Sequence, residues 1–504
     1  MKALFKPTSY RQGTVFAVGA TFVWKLISFI NALLLAAYFG ATYKTDIYFY
    51  LLVIMSFGSV FTQQLNNAVL IPEAMFLQAR QPQQAQRFLT LWLYIYVFIG
   101  ILVVLAGGFF PVKLWDLFSR FETPELAQQR TLLILGFGWF SLQLIAIYLQ
   151  SIAEMYKYFS TAWLGTLNAF LPLCCLLLFG KQLGLASMLC GFIAANVIQI
   201  VVLLGLCKVK LNWDFKFCWT YLPVRTRQNM LAHQSLTLLG LINSWLPLYL
   251  MSGLNAGVIS ALNYCKQLTD STVEIFSARV SNVAKIALTE NAATANWEDF
   301  DHTFLRCIQF LAFLLAPLTL FSCYFAPYIV EMFFQRGQFS AQAAHETVLF
   351  LRPMLIWVLL SIPGYLQGSA IPAHRKIKEN FPYALAAGIF FTITALWFIP
   401  HCGAFSYPYL CIAVQVVGYG LNAFLFKKHL PFISYAKQFW NLLSVTLKAG
   451  LALLPAVGVS LLLPANCWIQ ILVCGTVFVA VYATLIYMSN DGKKLIQFCL
   501  DSFF

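Results

Sequence analysis

Charged residues are scarce in this chain of 504 residues: Asp, Glu, Lys and Arg together account for 10% of it. Soluble domains are about a quarter charged and about half apolar, whereas this chain is 61% hydrophobic and 16% aromatic. A water-soluble fold could not cover so much apolar surface, and the short alternating segments of a β-barrel are missing. The composition therefore predicts an all-α polytopic membrane protein.

Signatures of catalysis and of metal binding are also lacking. The sequence contains no phosphate-binding loop, HExxH or GxSxG motif, and its thirteen cysteines form no CxxC pair. The DxD pattern in EDFDH, residues 298–302, precedes a span, where acidic residues favour a helix N-terminus. A membrane-embedded glycan-processing enzyme would need a large outer loop with acidic or His residues, and none is found. We therefore expect no enzyme activity, no bound metal and no other cofactor.

Long apolar runs recur along the whole chain, and a membrane-spanning helix needs about 20 apolar residues. The runs predict about fourteen such helices. The first run is long enough to span and lacks a convincing cleavage site, so we expect no cleaved signal. The predicted spans are 16–39, 46–71, 88–111, 131–153, 158–179, 184–207, 230–253, 256–285, 304–334, 346–371, 381–400, 405–426, 441–464 and 466–489.

The net charge of +14 indicates topology and contact with anionic headgroups, and nucleic acid is not expected as a partner. With both termini in the cytoplasm, most Lys and Arg residues fall in inside loops, as the positive-inside rule requires. The domains expected are an N-terminal lobe at 1–207, an amphipathic cytoplasmic linker at 208–229, a C-terminal lobe at 230–428, and two last helices with a tail at 429–504.

A weak internal repeat supports two related lobes. Residues 31–50 and 243–264 each contain an Asn, an apolar stretch, a Gly at the bend and a Tyr in the following helix. Repeated lobes in transporters commonly flank a central substrate site. The sequence therefore predicts two six-helix lobes around a central cavity plus two C-terminal helices, with chance similarity as the alternative.

A polar stripe interrupts the eighth predicted span. Lys266, Asp270 and Glu274 are four residues apart and so share one helix face, with Arg279 just beyond. An unpaired charge facing lipid costs at least about 2.5–3.5 kcal/mol, so the stripe must face water, another helix or a polar ligand. We favour a hydrated cavity, because these groups exceed what one helix-locking pair needs. A purely structural Lys266–Asp270 pair is the alternative.

Two ionisable residues near the start of the chain each have two possible roles. Lys25 interrupts the first span, with Asn31 about two turns further on. Lys25 either snorkels to the inner interface or faces the same cavity as the eighth span. Asp46 begins the second span after GATYKT. It either caps a helix or acts in gating or cation binding.

Glycine and proline mark candidate hinges. Gly40 lies at the bend between the first two spans, and Pro353, Pro363 and Gly364 fall within the tenth. Proline weakens a helix locally and frees a carbonyl group. Helices that bend suit alternating access, although a static kink explains the same residues equally well.

Several stretches carry a resemblance to a known family, beginning with AYFGATYKTDIYFYLLVI and EMFFQRGQFSAQAAHET. The first resembles the first bend, and the second the outer loop after helix nine, of the MurJ/MviN-type lipid II flippases of the MOP exporter superfamily, with this chain as a divergent member. YKYFSTAWLGTLNAFLP resembles the opening of their fifth helix. The segment at 261–288 matches their eighth helix in its position and in its pattern of polar and apolar residues. The order and spacing of these stretches carry the resemblance.

The resemblance implies a flippase in the bacterial cytoplasmic (inner) membrane. It would move a polyprenyl-pyrophosphate-linked sugar, similar to lipid II, from the inner to the outer leaflet for peptidoglycan synthesis. Its partners would be this lipid-linked glycan and membrane lipids, with a coupling cation, Na⁺ or H⁺, and a monomeric state. Candidate substrate-binding residues are Lys25, Asn31, Lys266, Gln267 and Arg279. Candidate gating or cation-binding residues are Asp46, Asp270 and Glu274.

The chain departs from the family at the arginines that are thought to hold the pyrophosphate. One of them falls on Lys25, but others fall on the uncharged residues Asn31, Ser59, Val60 and Gln267. Lysine lacks the bidentate fork of arginine, so pyrophosphate geometry would be read less strictly. Two alternatives therefore stay open. One is a flippase for another lipid-linked polysaccharide unit, and the other is a cation-coupled exporter of small amphiphiles.

Overall fold

The computed structural model describes residues 10–217, 224–374 and 376–489, and these residues are helical almost throughout. A π-helical turn at Asn66–Leu70 and 3₁₀ turns at Phe159–Thr166 and Ala404–Ser406 join some of the helices. The α-helices are α1 (Tyr10–Phe39), α2 (Tyr43–Leu65), α3 (Ile71–Arg80), α4 (Pro82–Phe109), α5 (Pro111–Phe118), α6 (Thr123–Gln128), α7 (Arg130–Met155), α8 (Leu167–Leu183), α9 (Ala186–Lys210), α10 (Val224–Met251), α11 (Val258–Ala293), α12 (Trp297–Tyr324), α13 (Ala326–Phe334), α14 (Ala341–Ala373), α15 (Ile377–Cys402), α16 (Tyr407–His429), α17 (Tyr435–Ser460) and α18 (Cys467–Met488).

Each predicted span falls on one helix or on consecutive helical elements of the described chain. Twelve helical segments there are long and apolar enough to cross a membrane. The two remaining spans fall on α10, whose apolar part is limited to Thr237–Met251, and on α11, which carries the polar stripe. The all-α polytopic class is confirmed.

The chain divides into two compact units. Unit 1 comprises Met1–Leu35 and Thr42–Ser260, and unit 2 comprises Ala36–Ala41 and Ala261–Phe504. The sequence predicts a lobe boundary at the linker 208–229, whereas unit 1 continues through α10. The reason is packing, because α10 lies against α2. The last two helices belong to unit 2, where α17 packs on α12 and α18 packs on α17.

Buried polar groups fix the helices of unit 1 against one another. The Tyr96 hydroxyl donates to Asn66 Oδ1 (3.2 Å), and Asn66 Nδ2 donates to Ser151 Oγ (3.1 Å). The Tyr148 hydroxyl donates to the Leu89 carbonyl (2.7 Å). A buried polar group without a partner is costly, so these bonds define the register of α4 and α7 and of the π turn after α2.

The chain that follows α9 folds back onto α4. Its described part, residues 211–217, has no regular secondary structure. Trp213 is buried there and its indole N–H donates to Thr90 Oγ1 (2.8 Å). The remainder of the predicted linker up to residue 223 lies outside the described residues. Trp213, one of the aromatic residues of this segment, thus packs on the protein.

Two hydrophobic clusters lie in the described part of unit 2. One is built from α11, α12, α14, α16 and α17, and Phe300, Phe304 and Phe426 are buried in it. In the other, small side chains on α17 face aromatic rings of α18; the cluster includes Ala449, Ala452, Ala456, Phe478 and Tyr482. Small residues allow helices to approach closely in a membrane.

The turn between α13 and α14 fits tightly against the end of α1. Gln338 N–H donates to the Ala37 carbonyl (2.8 Å). Gly337 has a φ of +60°, and a Cβ atom there would overlap the Ala37 carbonyl oxygen. Gly40 ends α1 with a φ of +63°, and a Cβ atom on it would lie 2.5 Å from the Gln338 carbonyl oxygen. Only glycine fits at either position.

Replacing Gly337 with alanine is expected to destabilise the protein. The loss should exceed the cost of about 1–3 kcal/mol that a positive φ alone imposes on a residue other than glycine. The added methyl group would push the turn away from Ala37. The matched control is Gly403→Ala, where φ is +79° but no atom lies within 4 Å of the added Cβ. Thermal unfolding of the two purified variants measures the difference. Equal unfolding temperatures would show that the contact with Ala37 contributes nothing.

Candidate functional site

Asp46 is a buried carboxylate that caps the start of α11. Its Oδ2 accepts from Gly257 N–H (2.6 Å), and its Oδ1 accepts from Ser260 N–H (2.7 Å) and from Ser260 Oγ (2.6 Å). The first N–H groups of a helix lack intrahelical partners and carry the positive end of the helix dipole. The carboxylate therefore satisfies these donors and fastens α2 to the start of α11.

The sequence around Asp46 explains why its carboxylate is available to cap α11. Thr42 and Thr45 form a capping box that begins α2, with Thr42 N–H donating to Thr45 Oγ1 (2.8 Å). Asp46 lies in the first turn, yet α2 does not need it as a cap. Ser260 Oγ also lies 2.8 Å from Thr45 Oγ1. Asp46 thus caps a helix, but this helix is α11, far along the chain, and not α2.

A small polar crevice of about 120 Å³ lies beside Asp46 in unit 1. Arg120, Glu122 and Glu125 are among the residues that line it. The Arg120 guanidinium lies 4.8 Å from the ring centroid of Tyr249. A crevice of this size has room for a few water molecules, since each occupies about 30 Å³ in the liquid.

Tyr264 connects α11 with the end of α1 and with the turn before α14, all in unit 2. Its hydroxyl donates to the Gly40 carbonyl (3.1 Å). Its ring contacts the rings of Phe334 and Phe339, with centroids 5.2 and 5.3 Å away. Gly40, predicted as a hinge, is thus held by Tyr264 and by the close approach of Gln338.

Lys25 and Asn31 lie on α1 in unit 1. Asn31 is buried and its Nδ2 donates to the Ala169 carbonyl at the start of α8 (2.8 Å). This bond attaches α1 to α8. Lys25 is half-buried, and its ammonium lies 4.9 Å from the ring centroid of Trp24. Roles of both residues in substrate binding stay predictions.

Lys266 lies half-buried on α11 in unit 2, with its ammonium 5.6 Å from the ring centroid of Tyr407 at the start of α16. Gln267 beside it is half-buried, and Asp270 one turn further is exposed. Within the described part of the chain no ion pair joins Lys266 to Asp270. The side chains of Glu274 and Arg279 lie outside the described residues. A cavity shared with Lys25 stays a prediction.

The predicted hinge of the tenth span lies in one continuous helix. α14 runs through Pro353, Pro363 and Gly364 without interruption. The Tyr419 hydroxyl donates to the Leu360 carbonyl, one turn before Gly364. A neighbouring helix thus supplies a donor near the point where the proline removes one. Bending of α14 stays a prediction.

Several polar contacts of the two units were not apparent from the sequence. Ser260 and Gly257 complete the Asp46 cap, and Tyr407 provides the ring over which Lys266 lies. In unit 2, Gln367 Nε2 donates to Gln438 Oε1 (3.0 Å), and Asn422 Nδ2 donates to Gln367 Oε1 (2.9 Å). No local motif marks these residues, since each partner lies far away in the chain.

Among the residues that the structure describes, no group of three or more His, Cys, Asp or Glu side chains is placed to hold a metal ion.

Comparison with solved structures defines the class of protein. A structure described as lipid II flippase MurJ in an inward closed conformation aligns with a TM-score of 0.77 over 94% of this chain and 98% of that chain, at 16% identity. An inward-facing multidrug resistance MATE family transporter of the MOP superfamily aligns with a TM-score of 0.59 over 84% of this chain and 97% of that one, at 13% identity. The chain therefore has the fold of these multi-spanning transporters.

Sequence comparison then gives the family. The family model described as lipid II flippase MurJ matches residues 35–484. This chain belongs to the lipid II flippase MurJ family. A probable lipid II flippase MurJ of Borreliella burgdorferi is 22% identical over 442 residues, which cover 84% of this chain and 81% of that protein.

Proposed function

We propose that this protein is a lipid II flippase that moves a polyprenyl-pyrophosphate-linked sugar from the inner to the outer leaflet for peptidoglycan synthesis. The family match over residues 35–484 carries the proposal. A multi-pass helical fold supports it, because a flippase must hold a polar headgroup within the bilayer while the lipid tail stays outside. Neither alternative left open by the sequence, another lipid-linked glycan or small amphiphiles, is favoured by the match.

In this proposal, lysines attract the pyrophosphate. Lys266 lies over the ring of Tyr407 and forms no ion pair with a described carboxylate. A cation over a ring gains only about 0.5–2 kcal/mol. A pyrophosphate oxygen at about 4 Å gains about 4 kcal/mol at an effective dielectric constant of 20. The headgroup therefore competes well for the ammonium of Lys266, and Lys25 adds a second positive charge.

Transport by alternating access needs contacts that hold one state and release in another. The Asp46 cap on α11 and the contact of Gly40 with Gln338 are suited to this, because each joins segments distant in the chain. We propose that a gradient of Na⁺ or H⁺ drives the cycle. The protein acts as a monomer in the bacterial inner membrane, with both termini in the cytoplasm.

Growth rescue tests the proposal. We expect expression of this chain to restore growth of bacteria depleted of their resident lipid II flippase, because both proteins deliver the same precursor to the outer leaflet. The resident flippase expressed from the same plasmid is the positive control, and the empty plasmid is the negative control. A chain that is inserted in the membrane at comparable abundance and never restores growth would contradict the proposal.

A further inference from the structure

A cavity of about 680 Å³ lies inside unit 1, between α2, α4, α7 and α10. Its volume is within the range of about 300–1,000 Å³ that is typical of ligand sites. No described residue that lines it is charged, and aromatic rings contribute much of the wall, including Phe57, Phe61, Trp92 and Phe140. The residues discussed above as a substrate or gating site do not line it.

The cavity extends along α10. Its lining on this helix extends from Met230 to Trp245, which corresponds to roughly 22 Å at 1.5 Å per residue. The apolar part of α10 begins at Thr237. Gln234 therefore lies about one turn before the apolar segment, near the depth at which headgroups meet hydrocarbon. The rest of the cavity accompanies the apolar segment.

Gln234 and Trp92 are the residues lining this cavity whose side-chain polar atoms have no partner among the described residues. In Gln234 both polar atoms, Nε2 and Oε1, are without one, and the side chain is only 7% exposed. Buried amides in native proteins are nearly always hydrogen-bonded, and an unsatisfied one requires an explanation. A ligand whose carbonyl oxygen accepts a hydrogen bond from Gln234 Nε2 would explain this buried amide.

One end of the cavity lies at a hydrogen-bonded pair, and apolar residues along one of its sides are exposed. At the far end from Gln234, Trp245 Nε1 donates to the Tyr50 hydroxyl (2.8 Å). Along the side, Ile99 on α4 and Leu238 and Ile242 on α10 line the cavity and are also exposed. Ile99 lies on a helix apolar enough to cross a membrane, and Leu238 and Ile242 lie in the apolar part of α10, so we expect the side opening to face hydrocarbon. A lipid chain can enter through it from the bilayer.

We propose that this cavity binds one acyl chain of a membrane glycerolipid, with the ester carbonyl of that chain accepting a hydrogen bond from Gln234 Nε2. The apolar lining along α10 fits one hydrocarbon chain, and the uncharged donors of Gln234 and Trp92, which lack partners among the described residues, fit an ester. A polyprenyl pyrophosphate fits less well, because its chain has no oxygen and its charged head would meet no cation in the described lining. The assignment does not depend on lipid II being transported.

Photolabelling tests the assignment. The full-length protein is reconstituted in nanodiscs containing phosphatidylglycerol with a diazirine on one acyl chain, and the labelled peptides are mapped. Labelling is expected on α2, α4 and α10 at residues that line the cavity. Leu241→Trp fills the cavity and is expected to lower this labelling by roughly tenfold, which the loss of about two buried methylene groups would produce. The matched control is Leu177→Trp, which lies exposed on α8 and keeps the signal.

A second variant tests the role of Gln234. An ester-linked probe is expected to label wild-type protein roughly three- to tenfold more than the ether-linked analogue, as one hydrogen bond predicts. Gln234→Leu removes this preference, whereas Gln182→Leu, exposed at the end of α8, keeps it. This comparison stays decisive if the tryptophan variant fails to fold.

Three results would overturn the proposal. The first is labelling of the cavity no stronger than that of exposed helix faces. The second is an equal loss of labelling in Leu241→Trp and Leu177→Trp. The third is stronger labelling of the cavity by a diazirine-bearing polyprenyl phosphate than by phosphatidylglycerol, which would assign the site to an isoprenoid chain.

Discussion

Replacing Asp46 with alanine is expected to lower the free energy of unfolding by about 2–4 kcal/mol, because a buried donor that loses its acceptor costs about 1–3 kcal/mol and two backbone donors lose theirs. The side chain is only 2% exposed. Its loss leaves the N–H groups of Gly257 and Ser260 without the acceptors that they have at 2.6 and 2.7 Å. It also removes the negative charge from the positive end of α11. Unfolding of the purified protein in detergent micelles measures the change.

Two further variants separate the charge from general sensitivity to mutation. Asp46→Asn keeps one oxygen acceptor but presents an NH₂ group to backbone donors, so its loss of stability should be intermediate. Asp116→Ala on α5 removes an exposed carboxylate and should change stability by no more than about 0.5 kcal/mol. If Asp46→Ala unfolds like the wild-type protein, Asp46 does not hold the start of α11.

Reversing the charges of Lys25 and Lys266 together is expected to abolish lipid II transport. Each lysine at about 4 Å from a phosphate oxygen would contribute about 4 kcal/mol of attraction at an effective dielectric constant of 20. A glutamate at the same place replaces that attraction with repulsion. The initial rate of movement of fluorescent lipid II across proteoliposome membranes measures the effect. Single variants should show smaller losses than the double variant.

Two controls make this comparison specific. Lys266→Arg keeps the positive charge and can still stack on Tyr407, so it should retain most of the rate. Lys113→Glu reverses an exposed lysine on α5, outside the candidate binding residues, and should leave the rate unchanged. Wild-type rates in the doubly reversed variant would reject the assignment of the pyrophosphate to these lysines.

The helical architecture could be predicted because it depends on composition and length. Long apolar runs force the backbone to satisfy its own hydrogen bonds within the membrane, and helices do this locally. Even α10 and α11, which fall short of the apolarity of the other spans, are predicted from their apolar runs, and the distribution of Lys and Arg between loops supports that count. The structure places these helices at Val224–Met251 and Val258–Ala293.

The contacts of the candidate site could be predicted only in part. The sequence marks Asp46 as a carboxylate at the start of the second span and Gly40 as a bend. It does not reveal that Asp46 caps a helix 214 residues away at Ser260, or that Gly40 faces Gln338. Such pairings depend on how distant helices pack. Local propensities contain no information on that packing.

The cavity at Gln234 was beyond prediction for a different reason. Apolar periodicity identifies which residues face inward, but it does not tell whether the space between them is filled. Gln234 also lies in the more polar half of its helix, where one amide attracts no notice. Only the coordinates show that both of its polar atoms lack partners among the described residues and that aromatic side chains surround an open volume.

Movement of lipid II across the membrane by the purified chain is the most direct test of the central claim that this protein is a lipid II flippase. Proteoliposomes containing the wild-type chain should transfer fluorescent lipid II between leaflets faster than protein-free liposomes, and the variant with both lysines reversed should not. A wild-type chain that is folded and inserted, yet transfers lipid II no faster than protein-free liposomes under either a Na⁺ or an H⁺ gradient, would contradict the account.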